Sequence, residues 1–370
     1  MSSLARATHA RIDLDALRHN YRRIRALAPA SRVLAMVKAD AYGHGLLPVA
    51  HALSGLADAL GVACVPEALA LRAAGVGGRI VVMQGFKNAD ELAAVCAHAL
   101  DVVIHAPEQL DCLASCRCGP PEGVAVWLKI DTGMHRIGFA PETVAEAVRR
   151  LGAMAAVNPR LRYLTHFACA DDPASTMTAR QIECFDATTR GFAGERSLCN
   201  SAALLTRPDA HADWVRPGIA LYGASPIAGR PAAGIGLHPV MTLTAPLIAI
   251  HHHRAGETIG YGGTFTCPRP MRVGVVAIGY GDGYPRHAAS GTPVSIGDRP
   301  GAIAGRVSMD MLAIDLGDAD CRPGDPVTLW GDGVAADVVA THAQTISYEL
   351  FCAAGPKAHR KYLSLCGIKK

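Results

Sequence analysis

The strongest constraint in this sequence is a series of eight short apolar segments that recur at helix-sized intervals. The first ends at Lys38, and the others begin near residues 60, 79, 101, 124, 160, 196 and 213. Residues 80–83 and 124–128 are apolar throughout, which is typical of strands buried on both faces in a parallel sheet. Eight β-α repeats favour a closed (β/α)8 barrel, with a doubly wound open sheet as the alternative.

The pattern changes between Ile235 and Pro239. Beyond this point short strands alternate with Gly, Pro and Asp turns, and long amphipathic helices are absent until the end of the chain. The predicted strands of this region are 243–250, 272–278, 293–296, 312–314 and 327–329. The sequence therefore predicts a barrel over residues 1–235 and a mostly β domain over residues 236–370.

Charge and hydropathy exclude several classes of partner. The net charge is +4 and the charges are interspersed, so nucleic acid is not an expected partner. No apolar stretch approaches the roughly 18 residues that a membrane span needs. The first residues lack the apolar core of a signal peptide, so we expect a soluble cytoplasmic protein.

Two groups of metal-binding residue types lie close together in the sequence, but neither has the spacing of a metal site. Of the twelve cysteines, Cys112, Cys116 and Cys118 lie close in sequence, but they lack the paired spacing of a zinc site. His251, His252 and His253 follow an apolar run, and neighbouring residues of a strand point to opposite faces, so the three side chains cannot converge. The sequence therefore predicts no metal site.

Polar side chains follow the predicted barrel strands, where the active sites of such barrels lie. Lys38 follows the first strand and suits a Schiff base with a lowered amine pKa, although a lysine at the barrel rim is an equally good interpretation of that position alone. Ser201 and Gly218, near the last two strands, suit a phosphate held by hydroxyl and backbone N–H groups. A reactive lysine together with a phosphate cradle is what pyridoxal phosphate requires.

The segments at these strand ends closely resemble those of the bacterial alanine racemases. The motif Val37-Lys-Ala-Asp-Ala-Tyr-Gly-His-Gly45 is similar to the pyridoxal-phosphate signature of that family. The resemblance continues through 131–139, 165–168, 200–202, 215–223, 261–262, 278–284, 305–310 and 348–349, and so covers nearly the whole chain. It implies a (β/α)8 barrel followed by a β domain, with the N-terminal strand before Leu14 joining the β domain.

The resemblance implies that the chain interconverts L- and D-alanine by two-base proton transfer on a pyridoxal 5'-phosphate aldimine, and that it either supplies D-alanine for peptidoglycan or serves alanine catabolism. Lys38 would form the internal aldimine and act as the base on the D-alanine side, and Tyr261 as the base on the L-alanine side. The cofactor phosphate would be bound by Tyr42, Ser201, Gly218, Ile219 and Tyr348, and Arg216 would contact the pyridine nitrogen. Arg136, braced by a carbamylated Lys129, and the backbone of Met309 would bind the substrate carboxylate, and His166 would couple Tyr261 to Arg216. Tyr280 and Tyr348 would narrow the entrance, and Asp310 would also lie in the site.

Chemical reasoning agrees with these roles. A racemase removes a proton from one face of Cα and returns one to the other, so two bases on opposite sides are expected. The reference pKa of tyrosine is near 10, and positive charge at His166 and Arg216 would lower it. A guanidinium keeps its proton, so Arg216 leaves the pyridine nitrogen unprotonated and weakens the electron sink. Related barrel-type decarboxylases generally place an acid there, so Arg216 disfavours the alternative of a decarboxylase or of another amino-acid racemase.

The family resemblance also implies an obligate homodimer, in which the β domain of one subunit completes the barrel site of the other and Tyr261 acts in trans. A cofactor carrier without catalysis is a third alternative, but such proteins are commonly single barrels without the β domain that carries Tyr261. The chain departs from many relatives at Asp40, where Asn is usual, and at His135, where Gly is usual. Because His135 adjoins Arg136, it is the departure expected to alter the substrate side.

Overall fold

The computed structural model describes residues 8–116, 120–227 and 229–364, and the chain divides there into two compact units. The barrel unit comprises residues 22–39 and 49–218. The second unit comprises the described residues of 8–21, 40–48 and 219–364. The chain thus passes between the units after Gly218, whereas the sequence places a domain boundary after residue 235, which stays a prediction.

Eight parallel strands form a closed barrel, as the spacing of the apolar segments predicts. The chain enters it after β1 (His9–Asp13) and α1 (Leu14–Leu27). The barrel strands are β2 (Arg32–Met36), β3 (Ala59–Val62), β4 (Arg79–Val82), β5 (Asp101–Ile104), β6 (Val126–Lys129), β7 (Arg162–Leu164), β8 (Glu195–Ser197) and β9 (Trp214–Val215). Because β2 pairs with β9, the alternative of an open sheet is wrong.

The helices that follow the barrel strands are short and begin with few side-chain caps. They are α2 (Lys38–Tyr42), α3 (Leu46–Leu53), α4 (Val65–Ala73), α5 (Ala89–Ala97), α6 (Pro107–Ala114), α7 (Val144–Gly152), α8 (Met177–Thr189) and α9 (Ser201–Thr206). Asn88 and Asn200 are exceptions, since each accepts a hydrogen bond from the third backbone N–H of the helix that it precedes. No described helix is long and apolar enough to cross a membrane.

The second unit is built on one eight-stranded, mostly antiparallel sheet. Its strands after the barrel are β10 (Met241–His253), β11 (Thr258–Ile259), β12 (Phe265–Thr266), β13 (Met271–Val276), β14 (Pro293–Ile296), β15 (Arg299–Ile303), β16 (Leu312–Asp315), β17 (Pro326–Trp330) and β18 (His359–Leu363), with α10 (Ala336–His342) and α11 (Ser347–Ala354) before β18. Strands β11 and β12 form a separate hairpin. The N-terminal β1 lies in the large sheet, antiparallel to β10 and parallel to β18.

Neither of the two groups of metal-binding residue types forms a site in the described chain. Among residues 8–116, 120–227 and 229–364, no three His, Cys, Asp or Glu side chains are placed to hold a metal ion. His251 and His253 share one face of β10 with ring centroids 6.3 Å apart, and this segment pairs with β13. Cys112 and Cys116 are half-buried, and Cys118 lies outside the described residues.

A layer of charged and aromatic side chains closes the end of the barrel where the strands begin. The rings of Trp127 and Trp214 pack edge to face at 5.2 Å, and the guanidinium of Arg32 lies 4.6 Å from the Trp214 ring centroid. Glu195 accepts hydrogen bonds from Trp214 at 2.9 Å and from Arg162 at 2.8 Å. The layer replaces apolar packing by paired charges and cation–π contacts, so its stability depends on the ionisation of its carboxylates.

We expect Glu195→Gln to lower the free energy of unfolding at pH 7 by about 1–2 kcal/mol, a value reduced for the partial exposure of this carboxylate. Burial alone would raise the pKa of Glu195, but hydrogen bonds from Trp214, Arg32 and Arg162 outweigh it and lower the pKa to about 2. The stabilisation is therefore complete above the unfolded pKa near 4.5 and disappears as the pH falls through about 2.

Urea unfolding followed by tryptophan fluorescence measures this effect, since two of the three tryptophans lie in the layer. Glu146→Gln is the matched control, because Glu146 forms an exposed ion pair with Arg149 on α7. The difference between Glu195→Gln and the unsubstituted protein should shrink from pH 7 to pH 3. A difference in the free energy of unfolding that stays constant from pH 7 to pH 3 would contradict the lowered pKa of Glu195.

Candidate active site

Five basic side chains converge where the barrel strands end. Lys38 follows β2, Lys129 ends β6, Arg136 lies on the loop after β6, His166 follows β7 and Arg216 follows β9. Burial lowers the pKa of the His166 imidazole, and all four of the other groups lower it further electrostatically, so the five lie within electrostatic reach of one another. A concentration of positive charge of this kind favours an anionic ligand. The sequence analysis named all five, and the structure brings them together.

Arg216 is the rigid member of this cationic cluster. Its side chain is buried, with an exposed fraction of 3%, and it donates to the Ser197 hydroxyl at 2.7 Å. It also donates to the carbonyl oxygens of Thr165 at 2.5 Å and Leu198 at 3.1 Å. Burial lowers the pKa of Arg216 to about 10, which leaves the guanidinium charged at neutral pH. The ends of three strands therefore fix a cation in one orientation.

His166 is neutral in this setting. Burial lowers its pKa well below the ordinary value, and the charges of Arg216, Lys129, Arg136 and Lys38 lower it further. Arg216 Nη2 lies 3.4 Å from His166 Nδ1, an arrangement in which Nδ1 accepts and Nε2 carries the proton. The sequence argument that assigned a positive charge to His166 is thus wrong, and Arg216 supplies the charge of this pair.

Lys129 is the most unusual group of the cluster. It is buried with an exposed fraction of 6%, and among the described residues its amine forms neither a hydrogen bond nor an ion pair. Burial lowers its pKa well below the ordinary value, with Arg216 and Arg136 adding to the effect and Asp131 opposing it. A buried primary amine whose pKa is lowered in this way is a better nucleophile than an ordinary lysine.

The loop that carries Arg136 is held by Asp131. One carboxylate oxygen of Asp131 accepts hydrogen bonds from the backbone N–H groups of Gly133 and His135, both at 3.0 Å. His135 has a positive φ of 54°, a conformation that favours glycine, and its imidazole lies 3.3 Å from the other Asp131 oxygen. His135 thus adds an ion pair to the loop when its imidazole is protonated.

Ser201 and Gly218 lie together at the strand ends, as the sequence analysis expects. The Gly218 backbone N–H donates to the Ser201 hydroxyl at 2.8 Å, and Ser201 is buried with an exposed fraction of 2%. Ser201 begins α9, so its hydroxyl and the Gly218 backbone N–H lie together at the start of this helix. These donors suit an anion.

The turn after Lys38 has an uncommon backbone. Residues 39–42 all have φ values between 53° and 54°, the left-handed region that L-amino acids avoid. Gly43 continues it at a φ of 77°, where a Cβ would lie 2.1 Å from the Phe351 carbonyl oxygen. The Asp40 carboxylate accepts a hydrogen bond from the Leu46 N–H at 2.7 Å and forms an ion pair with Arg360. An Asn at this position would keep the hydrogen bond from Leu46 but lose the ion pair.

This turn places Tyr42 among aromatic rings of the second unit. The Tyr42 ring lies 4.8 Å from that of Tyr222 and 5.8 Å from that of Tyr348. Burial raises the pKa of Tyr42 far above its ordinary value, so the phenol stays protonated. Ile219, the remaining predicted contact, is completely buried at the start of a 3₁₀ turn.

Four further predicted residues lie on the surface of the second unit. Tyr261 has an exposed fraction of 68%, Met309 of 55% and Tyr280 of 38%, and Asp310 is exposed. The backbone brings two of them together, since Tyr280 donates to the Ser308 carbonyl at 3.1 Å and Gly281 donates to that of Met309 at 2.8 Å. These four predicted residues thus lie on the surface, whereas Lys129, Ser201 and Arg216 are buried.

The sequence analysis missed Gln181, a buried residue of α8 that joins the cationic cluster through its hydrogen bonds. The available signal is weak: Gln181 lies on the face of α8 that buries Thr178, Phe185 and Thr189, where a polar side chain needs partners.

Comparison with known proteins agrees with this geometry. The family model for the alanine racemase N-terminal domain matches residues 12–226, and that for the C-terminal domain matches residues 240–362. The alanine racemase of Halorhodospira halophila is 50% identical over 359 residues, covering 97% of this chain and 98% of that one. The one from Thioalkalivibrio sulfidiphilus is 51% identical over 363 residues, covering 97% and 100%.

Solved structures are similar over the same extent. The biosynthetic alanine racemase of Pseudomonas aeruginosa has 44% identity and a TM-score of 0.92, covering 97% of this chain and 100% of that one. The alanine racemase of Acinetobacter baumannii has 37% identity and a TM-score of 0.92 at the same coverage. The fold matches theirs, and these relatives define the chain as an isomerase. The chain belongs to the alanine racemase family.

Proposed function

We propose that this protein interconverts L- and D-alanine with pyridoxal 5'-phosphate as its cofactor, a group that the alanine racemase family generally uses. The observation that carries the proposal is the cationic cluster at the barrel mouth, where Lys38 and the buried Arg216 both lie beside His166. An anionic cofactor and a carboxylate substrate both match this charge. We further propose that the protein works in the cytoplasm.

The residues present fit the cofactor. Ser201 and the backbone of Gly218 would hold the phosphate. The phosphate contacts of Tyr42, Ile219 and Tyr348 stay predictions from the family resemblance. Arg216 would lie against the pyridine nitrogen, and a guanidinium does not give up its proton to that nitrogen. When bound, the cofactor supplies an electron sink that makes the Cα proton of the attached amino acid acidic.

Two residues of the chain would carry the exchanged proton, one on each side of the substrate. Lys38 would hold the exchanged proton at Nζ on the D-alanine side, and Tyr261 would hold it at Oη on the L-alanine side. Arg136 and the Met309 backbone would orient the substrate carboxylate. His166 presents a proton on Nε2, so as a hydrogen-bond donor it would favour the ionised form of Tyr261.

We infer that the working form is a homodimer with a shared active site. Tyr261, Tyr280 and Met309 are all large apolar side chains with high exposure, and Met311 is exposed to 45%. Exposed apolar side chains of this kind are typical of protein interfaces. In the proposed dimer, Tyr261 of one subunit reaches the barrel of the other.

The proposed activity is tested by incubating the purified protein with L-alanine in D2O and separating the products on a chiral column. D-alanine that carries deuterium at Cα is the expected product. The same assay with lysine and serine measures the tolerance for other side chains. Release of CO2 from a basic amino acid without racemisation would favour the decarboxylase alternative instead.

We propose that the Lys129 amine reacts with CO2 to form a carbamate. The neutral amine would attack the carbon of CO2, lose a proton to solvent and become an anion between Arg136 and Arg216. Lys129→Met should therefore raise the KM for alanine by about tenfold, because Arg136 loses its brace. A 13C carbamate signal in protein equilibrated with labelled bicarbonate, absent from the variant, is the direct measurement. Exposed Lys87, mutated to Met, is the control.

A further inference from the structure

Gln181 connects parts of the barrel mouth that carry different site residues. It is completely buried, on the inner face of α8. Its Nε2 donates to the His166 carbonyl oxygen at 3.0 Å, and its Oε1 accepts from the Ala168 N–H at 2.9 Å. The two contacts hold the backbone on both sides of Phe167 in the segment that presents the His166 side chain.

The same side chain reaches the loop of Arg136. Gln181 Nε2 lies 3.3 Å from the Thr132 hydroxyl, and that hydroxyl lies 2.7 Å from the Thr165 hydroxyl. The carbonyl oxygen of Thr165 in turn accepts from Arg216. One buried amide thus links the ends of β6 and β7, and through Thr165 it reaches the buried guanidinium.

We propose that Gln181 is a positioning residue of the active site. It fixes the position of the His166–Arg216 pair relative to the start of the loop that carries Arg136. The inference rests on the proposed function of the site. Its physical basis is that a buried amide with every bond made fixes its neighbours, because breaking one bond leaves a buried polar group unsatisfied. A displacement of about 1 Å at reacting groups costs on the order of 100-fold in rate.

The barrel contains a matched control for this role. Gln109 on α6 is also buried, and its Nε2 donates to the carbonyl oxygens of Gln84 at 3.3 Å and Phe86 at 3.1 Å. Its Oε1 accepts from the His105 N–H at 2.8 Å. Gln109 therefore holds strand-end backbone as Gln181 does, but no residue of the cationic cluster is among its partners.

The test compares Gln181→Met with Gln109→Met in the holoenzyme. Both substitutions should lower the thermal midpoint to a similar extent, since each removes three hydrogen bonds. Gln181→Met should also lower kcat by about 10- to 100-fold and weaken the visible circular dichroism of the bound cofactor, because Arg216 and His166 lose their fixed orientation. Gln109→Met should leave kcat within about twofold and the dichroism unchanged.

Thr132→Val gives a milder second variant should Gln181→Met fail to fold. It removes the hydroxyl that joins Gln181 to Thr165 and keeps both backbone contacts of the amide, so we expect the KM for alanine to rise and kcat to change little. Equal effects of all three variants on kcat, KM and dichroism would overturn the positioning role. Dichroism tests this role in any cofactor-bound form, whereas an unsubstituted protein that neither binds the cofactor nor racemises alanine would overturn the proposed function and this role together.

Discussion

Replacing Lys38 with Ala should abolish racemisation, with kcat/KM falling by at least about 1000-fold. Lys38 is the primary amine that directly follows the first barrel strand, and its removal takes away both the covalent link to the cofactor and the proton carrier on the D-alanine side. The variant should fold, because the lysine is only partly buried and the strand before it keeps its apolar contacts. Chiral chromatography measures the activity, and visible absorbance after dialysis measures the retained cofactor.

Lys38→Arg and Lys87→Ala make this result interpretable. Lys38→Arg keeps the positive charge beside His166 but lacks a nucleophilic amine, so it should be as inactive as the Ala variant. Lys87→Ala removes a lysine whose side chain is 71% exposed and should leave activity unchanged. If Lys38→Arg kept substantial activity, charge alone would explain the role of the residue, and the covalent link would be refuted.

The barrel could be predicted because its strands are buried on both faces and therefore consist of continuous apolar runs. β3, β5 and β6 are buried at every position, and the runs read from the sequence coincide with them. The parallel order then follows from the intervening helices, because parallel strands need crossover connections. These are local signals, so they survive in a single sequence.

Strands whose stability comes from distant partners were missed. β15 contains Pro300 and Gly301, two residues that disfavour strands, and it is held by pairing with β14 and β16. β18 is mostly polar and extends only because it pairs with β1, about 350 residues earlier in the chain. Neither the composition nor the periodicity of these segments indicates that they pair with such distant strands.

In the candidate site, too, some features could be predicted from local sequence signals and others could not. Lys38, His166 and Arg216 are recognisable because a basic residue at the end of an apolar strand is costly without a use. The left-handed turn at 39–42 is not recognisable, since Ala39 and Ala41 have no preference for positive φ. The contacts of Gly43 and Asp40 impose that conformation from distant parts of the chain. The role of Gln181 could not be predicted for the same reason, because its hydrogen-bond partners lie at strand ends elsewhere in the chain.

Tyr261→Phe should separate the two halves of the proton transfer. If Tyr261 serves the L-alanine side, the variant should lose exchange of the Cα proton of L-alanine with D2O by about 100-fold or more. D-alanine should still exchange its Cα proton through Lys38, although it no longer becomes L-alanine. Proton NMR of each enantiomer in D2O measures both rates. Tyr280→Phe is the matched control, since it removes a hydroxyl from another exposed tyrosine of the second unit.

Equal loss of exchange for both enantiomers would contradict this division of roles and would indicate that Tyr261 acts through binding. An unchanged L-alanine exchange would remove Tyr261 from the chemistry altogether. The high exposure of its side chain, 68%, leaves the phenol free to meet a second subunit. The same residue therefore also tests the dimer.

Mixed dimers of a Lys38→Ala subunit and a Tyr261→Phe subunit distinguish action in trans from action within one chain. If Tyr261 acts in trans, one site of the mixed dimer contains both substitutions and the other contains neither, so about half of the normal activity returns. If Tyr261 serves its own barrel, each site contains one substitution and both stay inactive. Two affinity tags allow the mixed dimer to be purified from co-expressed subunits. Because each parent homodimer is expected to be inactive, restored activity requires an active site formed by two chains.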